Sequence, residues 1–421
     1  MIEITRKIKE RAMLVALQTR HVNRELVEEH LSELEELADT AGADSIFKII
    51  QSKSAIDPAF YIGKGKAEEL AQLVELNDID LAIFDDDLTP VQVRNLEKLF
   101  NRKIIDRSGL ILDIFALRAK TKEAKTQVEL AQLEYMLPRL TRAWTHLSKQ
   151  YGGIGTKGPG ETQIETDRRM IRTRISHLKE KLKEIESQRQ TQSKGRKDFV
   201  RISIAGYTNA GKSTLFNLLT KADVFAEDKL FATLDSTTRT LSLDAKEKIL
   251  ISDTVGFIRK LPAHLVASFK STLNEVRDSD IILHLIDLSH PYYEDHLRVV
   301  EETLKEFDSE HKKEIKVFNK VDSVDDKSII EYVRNKYPGS VIISAQKGIN
   351  ISSLIKSIEA TIKDSFVEEE ITLRIEQTKL ASQIHDLAEV TSVKYNHDTV
   401  LFKYRANKEN SEMIKKLVAK Y

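Results

Sequence analysis

The 421-residue chain has no cysteine. That excludes a disulfide framework, cysteine-ligated zinc, iron–sulfur clusters and thiol catalysis, and it fits the reducing cytoplasm, which is the expected compartment. No apolar run is long enough to span a bilayer, no segment reads as a signal peptide, and neither a lipidation motif nor a basic amphipathic anchor is present. No membrane anchor is therefore expected. Charge of one sign is also lacking: Lys plus Arg and Asp plus Glu each number 66, so net charge is silent about partners and only its distribution informs. Glycine is scarce, with 15 in all. Five of them fall within the ten residues GGIGTKGPGE, Gly152 to Glu161, and a second glycine-containing stretch, GYTNAGKST, runs from Gly206 to Thr214.

What is present is 41% hydrophobic and 31% charged, which suits a mostly globular chain too long for one core. Between Arg118 and Lys197 there are 19 basic and 9 acidic residues, a local excess of 10. Such a surface suits a polyanion, although a solvated helical face gives the same count.

Residues 1–117 alternate buried-strand runs (Ala12–Leu17, Ser45–Ile50, Leu81–Asp86, Lys103–Ser108) with helical patterns (Leu26–Ala38, KAEELAQLVEL, PVQVRNLEKLF), which predicts a parallel α/β domain. Residues 118–197 differ. Lys120–Lys149 and Thr162–Gln192 read as long helices, with Pro138 placed to kink the first, joined at the glycine stretch into an antiparallel hairpin with that stretch at its tip. Residues 198–366 alternate strands and helices again. Residues 367–421 read strand, helix, strand pair, helix, with a hairpin turn at Asn396-His397-Asp398, a small α+β domain. The fold class expected is thus multidomain α/β.

A phosphate cradle needs several backbone N–H groups pointing into one concavity at a helix N-terminus. Gly206, Tyr207, Thr208, Asn209, Ala210, Gly211, Lys212, Ser213 and Thr214 have the G-x-x-x-x-G-K-[ST] spacing, after a strand (Val200–Ala205) and before a helical pattern. Lys212 is the candidate for the β and γ phosphates and Ser213 for magnesium. GGIGTKGPGE fails these tests. No strand enters it, no Lys-Ser or Lys-Thr closes it, and Gly158-Pro159-Gly160 punctuates a turn. It is either a flexible interhelical turn or a contact loop at the arm's end.

Three further stretches select the nucleotide. Asp253-Thr254-Val255-Gly256 ends a strand; Asp253 is placed for the magnesium shell and the Gly256 N–H for the γ-phosphate. Asn319-Lys320-Val321-Asp322 ends another strand, and the Asp322 carboxylate can accept from the N1 and N2 donors of guanine, which adenine does not present. Ser344-Ala345-Gln346 can offer a backbone N–H to guanine O6. Phe231-Ala232-Thr233, between the first two, supplies Thr233 as a switch hydroxyl for magnesium. The expected ligands are GTP and GDP with Mg2+, with Lys212, Thr233 and Gly256 carrying hydrolysis and Ser213, Thr233 and Asp253 holding the metal. Phe257 stands where many GTPases carry a water-orienting glutamine, so intrinsic hydrolysis is expected to be slow and partner-stimulated. Arg239 and Arg259 are nearby arginines without an assignable role. Asn209 sits where potassium-dependent GTPases with a similar loop carry a cation ligand, which makes K+ an additional expectation.

YIGKGKAEEL, ILDIFALRA, QVELAQLEYMLPRL, GGIGTKGPGETQIETDRR and FATLD beside GYTNAGKST together resemble the HflX GTPases over about residues 10 to 360. The resemblance implies a P-loop GTPase domain at 198–366 and a cytoplasmic, ribosome-associated enzyme, expected to act as a monomer, that binds the large subunit and splits stalled or idle ribosomes. It also implies that the hairpin and its tip reach ribosomal RNA, with Lys149, Gly153, Lys157, Gly158, Gly160, Arg168, Arg169, Arg172 and Arg174 as candidate contacts. The sequence departs from the family pattern at Lys157, where arginine is common, and at Ser236, where proline is common in the switch. Some members are also said to bind ATP through the N-terminal domain; Gly63-Lys64-Gly65-Lys66 lacks the spacing of a phosphate cradle. The alternative reading is a GTP-switched RNA-binding or assembly factor acting on the free large subunit. A membrane signalling GTPase would need the anchor that the chain lacks.

Overall fold

The computed structural model describes residues 9–20, 22–140, 159–193, 199–221, 229–234, 236–241, 249–260, 275–307, 309, 312–396 and 398–419. The chain divides into two compact units: Met1–Thr191 with Phe225–Ser236 and Thr254–Asn274, and Gln192–Val224 with Thr237–Asp253 and Glu275–Tyr421.

The first unit is built on a four-stranded sheet of β1 (Glu10–Gln18), β2 (Ala43–Ser52), β3 (Leu81–Phe84) and β4 (Lys103–Asp106), all parallel, in the order β2-β1-β3-β4. Ala12 to Leu17 of β1 are buried without alternation, as a central parallel strand covered on both faces requires. Helix α1 (Arg24–Ala41) turns one stripe inward at Val27, Leu31, Leu34, Leu37 and Ala38. It stops at Gly42, whose φ of 93° lets its N–H return to the Ala38 and Asp39 carbonyls. Helices α2 (Lys64–Leu76) and α3 (Pro90–Phe100) follow, the latter started by a Thr89–Gln92 capping box with proline in its first turn.

The sequence pattern carried the fourth strand on through Ser108. The structure ends it at Asp106, whose carboxylate caps α4 (Arg107–Arg118) by accepting from Gly109 N at 2.9 Å. The same buried carboxylate accepts from Tyr135 Oη (2.6 Å), Arg139 Nη2 (2.6 Å) and Leu88 N (3.0 Å), and so fixes α5 (Lys122–Met136) against the sheet end. Expected to reach Lys149, this helix ends at Met136, because Pro138 has no N–H to extend the ladder. Helix α6 (Pro159–Ser193) begins earlier than expected: Pro159 and Gly160 lie in its first turn and not in a turn between helices, proline being tolerated where the N–H has no intrahelical partner. At 35 residues it is about 52 Å long. Its Ile171, Ile175, Leu178 and Leu182 meet Leu130, Leu133 and Leu137. Residues 141–158, with Lys149, Gly153, Lys157 and Gly158, lie outside the described residues.

The second unit holds a six-stranded sheet, β10-β9-β8-β5-β7-β6, made of β5 (Val200–Gly206), β6 (Thr237–Leu241), β7 (Ile249–Asp253), β8 (Ile281–Asp287), β9 (Lys313–Asn319) and β10 (Val341–Ile342). All neighbours are parallel except β6 on β7, an antiparallel edge that the sequence reading did not foresee. Helices α7 (Lys212–Thr220), α8 (Tyr293–Glu306), α9 (Lys327–Lys336) and α10 (Ile351–Ser365) accompany it, over a core that includes Ile204, Phe216, Ile251, Leu283, Val317 and Leu354. The C-terminal part has the expected order: β11 (Phe366–Arg374), α11 (Thr378–Leu387), β12 (Glu389–Asn396), β13 (Thr399–Asn407) and α12 (Lys408–Val418), with antiparallel order β11-β13-β12 around Leu373, Ile384, Phe402 and Ile414. Asn396 pairs with Thr399 across the hairpin.

Candidate guanine-nucleotide site

Strand β5 delivers the chain to the loop at Gly206. A Cβ there would lie 2.3 Å from the Leu285 carbonyl oxygen of the neighbouring strand, so the close approach admits only glycine. Asn209 (φ 59°) and Gly211 (φ 90°) are left-handed, and Gly211 starts α7 with no side-chain cap. Left-handed residues ahead of a helix start without a side-chain cap are the backbone arrangement that suits a phosphate. Gly206→Ala is expected to cost about 1–3 kcal/mol of stability, because backbone and not a flexible side chain must yield. An unchanged denaturation midpoint would remove this account of the glycine.

Lys212 is 7% exposed and donates to the Tyr207 carbonyl at 2.7 Å. Burial pulls its pKa down to about 8, against the attraction of Asp253. Tyr207 lies flat on His296 (ring centroids 3.8 Å apart, planes 3° apart) and so is held from behind. Ser213 Oγ donates to Asp253 Oδ2 at 2.7 Å, which places a hydroxyl and a carboxylate side by side. This all-oxygen pair suits a hard divalent cation, and the buried Thr208 Oγ1 has no hydrogen-bond partner. The residues therefore fit magnesium with a phosphate ligand: Ser213 and Asp253 would hold the ion, which supplies neutralisation of phosphate charge. The left-handed, half-buried Asn209 adds no argument for potassium.

The base end is tied to the phosphate end by Asn319. Its Nδ2 donates to the Ala210 carbonyl at 2.9 Å, and its Oδ1 accepts from Ala345 N at 2.9 Å. One buried amide thus joins the phosphate loop, the end of β9 and the Ser344-Ala345-Gln346 loop. Lys320 is left-handed (φ 62°) and pairs with Asp287 at 2.8 Å. Val321 N bonds to the Ile343 carbonyl at 3.2 Å, and Asp322 is exposed in a short 3-10 turn. The second unit therefore brings together Gly206 to Thr214, Asp253, Asn319 to Asp322 and Ser344 to Gln346. The remaining expected residues, Phe231, Ala232, Thr233, Thr254, Val255 and Gly256, belong to the first unit.

Family models match nearly the whole first three-quarters of the chain: "GTP-binding GTPase N-terminal" at residues 28–116, "GTP-binding GTPase Middle Region" at 118–196 and "50S ribosome-binding GTPase" at 201–320. A GTPase HflX of Magnetococcus marinus is 44% identical over 398 residues, covering 94% of this chain and 92% of its own length. The chain belongs to the HflX GTPase family. The HflX GTPase of Caldanaerobacter subterraneus is likewise 44% identical, over 97% of this chain and 94% of its own. A GTP-binding protein of the archaeon Sulfolobus solfataricus, solved with GDP, is 26% identical over 83% of this chain and 98% of its own, at a TM-score of 0.44. Membership of the HflX family makes this protein an enzyme that binds and hydrolyses GTP.

Sequence reasoning missed Asn319 as a connector and His296 as the support of Tyr207. Asn319 was legible as part of its motif, but its partners are 109 and 26 residues away. For His296 no sequence signal exists.

Proposed function

We propose that this GTPase works on the large ribosomal subunit and dissociates stalled or idle ribosomes in the cytoplasm, with slow intrinsic hydrolysis that the subunit accelerates. The observation that carries the reading is the basic face of α6. Arg169 and Arg172 are exposed, off the stripe of Ile171, Ile175, Leu178 and Leu182 that is committed to α5, while Arg168, half-buried, lies at heptad spacing from Ile175 on the α5 side. Such a face suits the phosphates of RNA, where charge neutralisation dominates affinity. Arg174 is partly engaged already, through Glu129 at 2.6 Å. The "50S ribosome-binding" description of the matched GTPase family supports the same partner. Phe257 supports the dependence on a partner, since a phenyl ring cannot orient water.

GTP turnover with and without purified large subunits, at about 50 and 200 mM salt, tests the proposal. Strong stimulation that weakens more than about tenfold at the higher salt is expected. Stimulation that ignores salt would remove the α6 face from the mechanism. Sedimentation with whole ribosomes and with free large subunits separates splitting from the alternative of an assembly factor. Replacing Gly158-Pro159-Gly160 with alanines is expected to leave GDP affinity unchanged and to weaken stimulation, because alanines are compatible with the start of α6 but remove the glycines proposed as RNA contacts. Undiminished stimulation would leave the glycine stretch as a mere connector.

A further inference from the structure

In the second unit, β9, β8 and β5 are parallel neighbours, so their carboxyl ends lie together at one end of the sheet. Ligands of parallel α/β sheets sit outside such ends. Strand β5 runs into the phosphate loop there, and β9 runs into Asn319 to Asp322. Strand β8, between them, ends at Asp287, which stands beside Asn319 in the sheet register. Asp287 is outside every motif read from the sequence, yet each of its carboxylate oxygens is engaged. Oδ1 accepts from Ser289 N at 3.0 Å and from Ser289 Oγ at 2.6 Å, a side-chain turn that fixes the direction of the carboxylate. Oδ2 faces Lys320 Nζ at 2.8 Å.

Lys320 has a left-handed backbone (φ 62°), a conformation that a lysine keeps only when its surroundings hold it there. Its main chain leaves the end of β9, and its ammonium lies at the end of β8. The four-methylene stem therefore crosses the end of β8, with the Asn319 to Asp322 turn on one side and the phosphate loop of β5 on the other. The pKa of Lys212 agrees with that placement: burial lowers it, Asp253 works against burial, and the charge of Lys320 lowers it further. A guanine nucleotide whose base is read at Asp322 and Ala345, and whose phosphates lie on Gly206 to Thr214, passes over this stem.

The pair has little to give to folding. The side chains of Lys320 and Asp287 are 30% and 15% exposed, so solvent screens their attraction. The strand ends are closed without it, by Leu288 N on the Asn319 carbonyl (3.0 Å), by Val321 N on the Ile343 carbonyl (3.2 Å) and by the Asn319 amide. What the pair does control is one long side chain. A lysine free to move loses rotamer freedom when a ligand covers it, and that loss subtracts from affinity. A lysine held by its tip has lost that freedom beforehand, and it presents an apolar stem while its charge stays satisfied.

We infer that Asp287, oriented by Ser289, is a positioning residue for guanine-nucleotide binding: it holds the Lys320 stem across the end of β8 as a preformed floor between the base and phosphate subsites. The part of the ligand it serves is the nucleoside, a flat purine with its ribose, and not the phosphates, which the loop itself holds. Such a floor supports ground state and transition state alike, so its loss raises Kd and KM and spares kcat. Asp287 acts only through Lys320. Once the lysine's charge is gone, removal of the carboxylate has nothing further to take. The inference rests on guanine-nucleotide binding and not on the ribosomal partner.

The test measures affinity for GDP and for a non-hydrolysable GTP analogue, steady-state kcat and KM, and thermal unfolding in the full-length chain, for the parent, Asp287→Asn, Lys320→Met and the double variant. Asparagine keeps an oxygen for the two Ser289 donors and turns an amide donor toward the ammonium, so the turn survives and the hold on Lys320 does not. Asp287→Asn is expected to weaken both nucleotides alike by about tenfold, the scale of one charge-assisted hydrogen bond, with KM raised to match and kcat within about twofold. The double variant is expected to bind as Lys320→Met does, within about twofold. GDP binding by the parent checks the nucleotide site itself. A loss under about threefold in Asp287→Asn, losses that multiply in the double variant, or a kcat that falls with the affinity would each overturn the inference. So would an unfolding midpoint lowered by more than about 4 °C in Asp287→Asn, which would make the pair structural.

Discussion

Asp322→Asn is expected to convert the protein's preference for GTP into one for XTP. Asp322 stands exposed in a 3-10 turn, and the backbone around it is held by Val321 N on the Ile343 carbonyl. The side chain therefore contributes little to folding, and its replacement changes recognition alone. Guanine offers two adjacent donors, at N1 and at the 2-amino group. A carboxylate accepts both, and each such charge-assisted bond is worth about 1.5–3 kcal/mol. An amide accepts one and turns its own donors toward the 2-amino group. The combined loss is about 3–6 kcal/mol, or roughly 10²- to 10⁴-fold in GTP affinity. Xanthine carries an oxygen at position 2, so the asparagine amide meets an acceptor there and the pairing is restored. Ratios of kcat/KM for GTP and XTP give the answer. A variant that still prefers GTP would mean that Asp322 does not read the base, whatever its motif.

That experiment addresses a residue that was legible in the sequence, as was most of the fold. Strand runs and helical stripes place the sheets, and the glycine and lysine spacing places the phosphate loop, because these are local patterns that backbone sterics enforce within a few residues. What could not be read depends on partners distant in sequence. Asp106 reads as the interior of a strand that runs on to Ser108, until Gly109, Tyr135, Arg139 and Leu88 converge on its carboxylate and a helix starts there. Pro159 and Gly160 read as a turn by composition, yet proline at a helix start is as favourable as in a turn, and local chemistry does not choose between the two. Arg259 and Lys260 read as two nearby basic residues. Their meaning lies in Glu33, Asp85 and Asp86, some 170 or more residues away. The sequence reading also treated the two switches as parts of the nucleotide-binding domain. Both segments cluster with the first unit, where Phe231 meets Phe115 of α4 edge-on, and Leu230, Phe231, Phe257 and Ile258 are all buried.

Lys212→Met is expected to lower kcat about 10²- to 10³-fold, the usual cost of removing one preorganised donor from a site that stabilises developing phosphate charge. Its pH dependence makes the case specific. Burial holds the Lys212 pKa at about 8, and the ammonium has the Tyr207 carbonyl as its hydrogen-bond acceptor. A bound triphosphate places negative charge against the same nitrogen and raises its pKa. The nucleotide complex thus binds the proton more tightly than the free protein does. Affinity is therefore at its full value below about pH 8, and it falls as pH rises through 8, by up to tenfold per unit, until the pKa of the complex is reached. Calorimetry in buffers of different ionisation enthalpy would show proton uptake on GTP binding above pH 8. In Lys212→Met both the uptake and the pH slope should vanish, while the fold, read from thermal unfolding, loses only the bond to Tyr207. A slope that survives the substitution would assign the proton to another group. Retained turnover in the same variant would deny Lys212 its place at the phosphates, since a methionine of similar length fills the space but carries no charge.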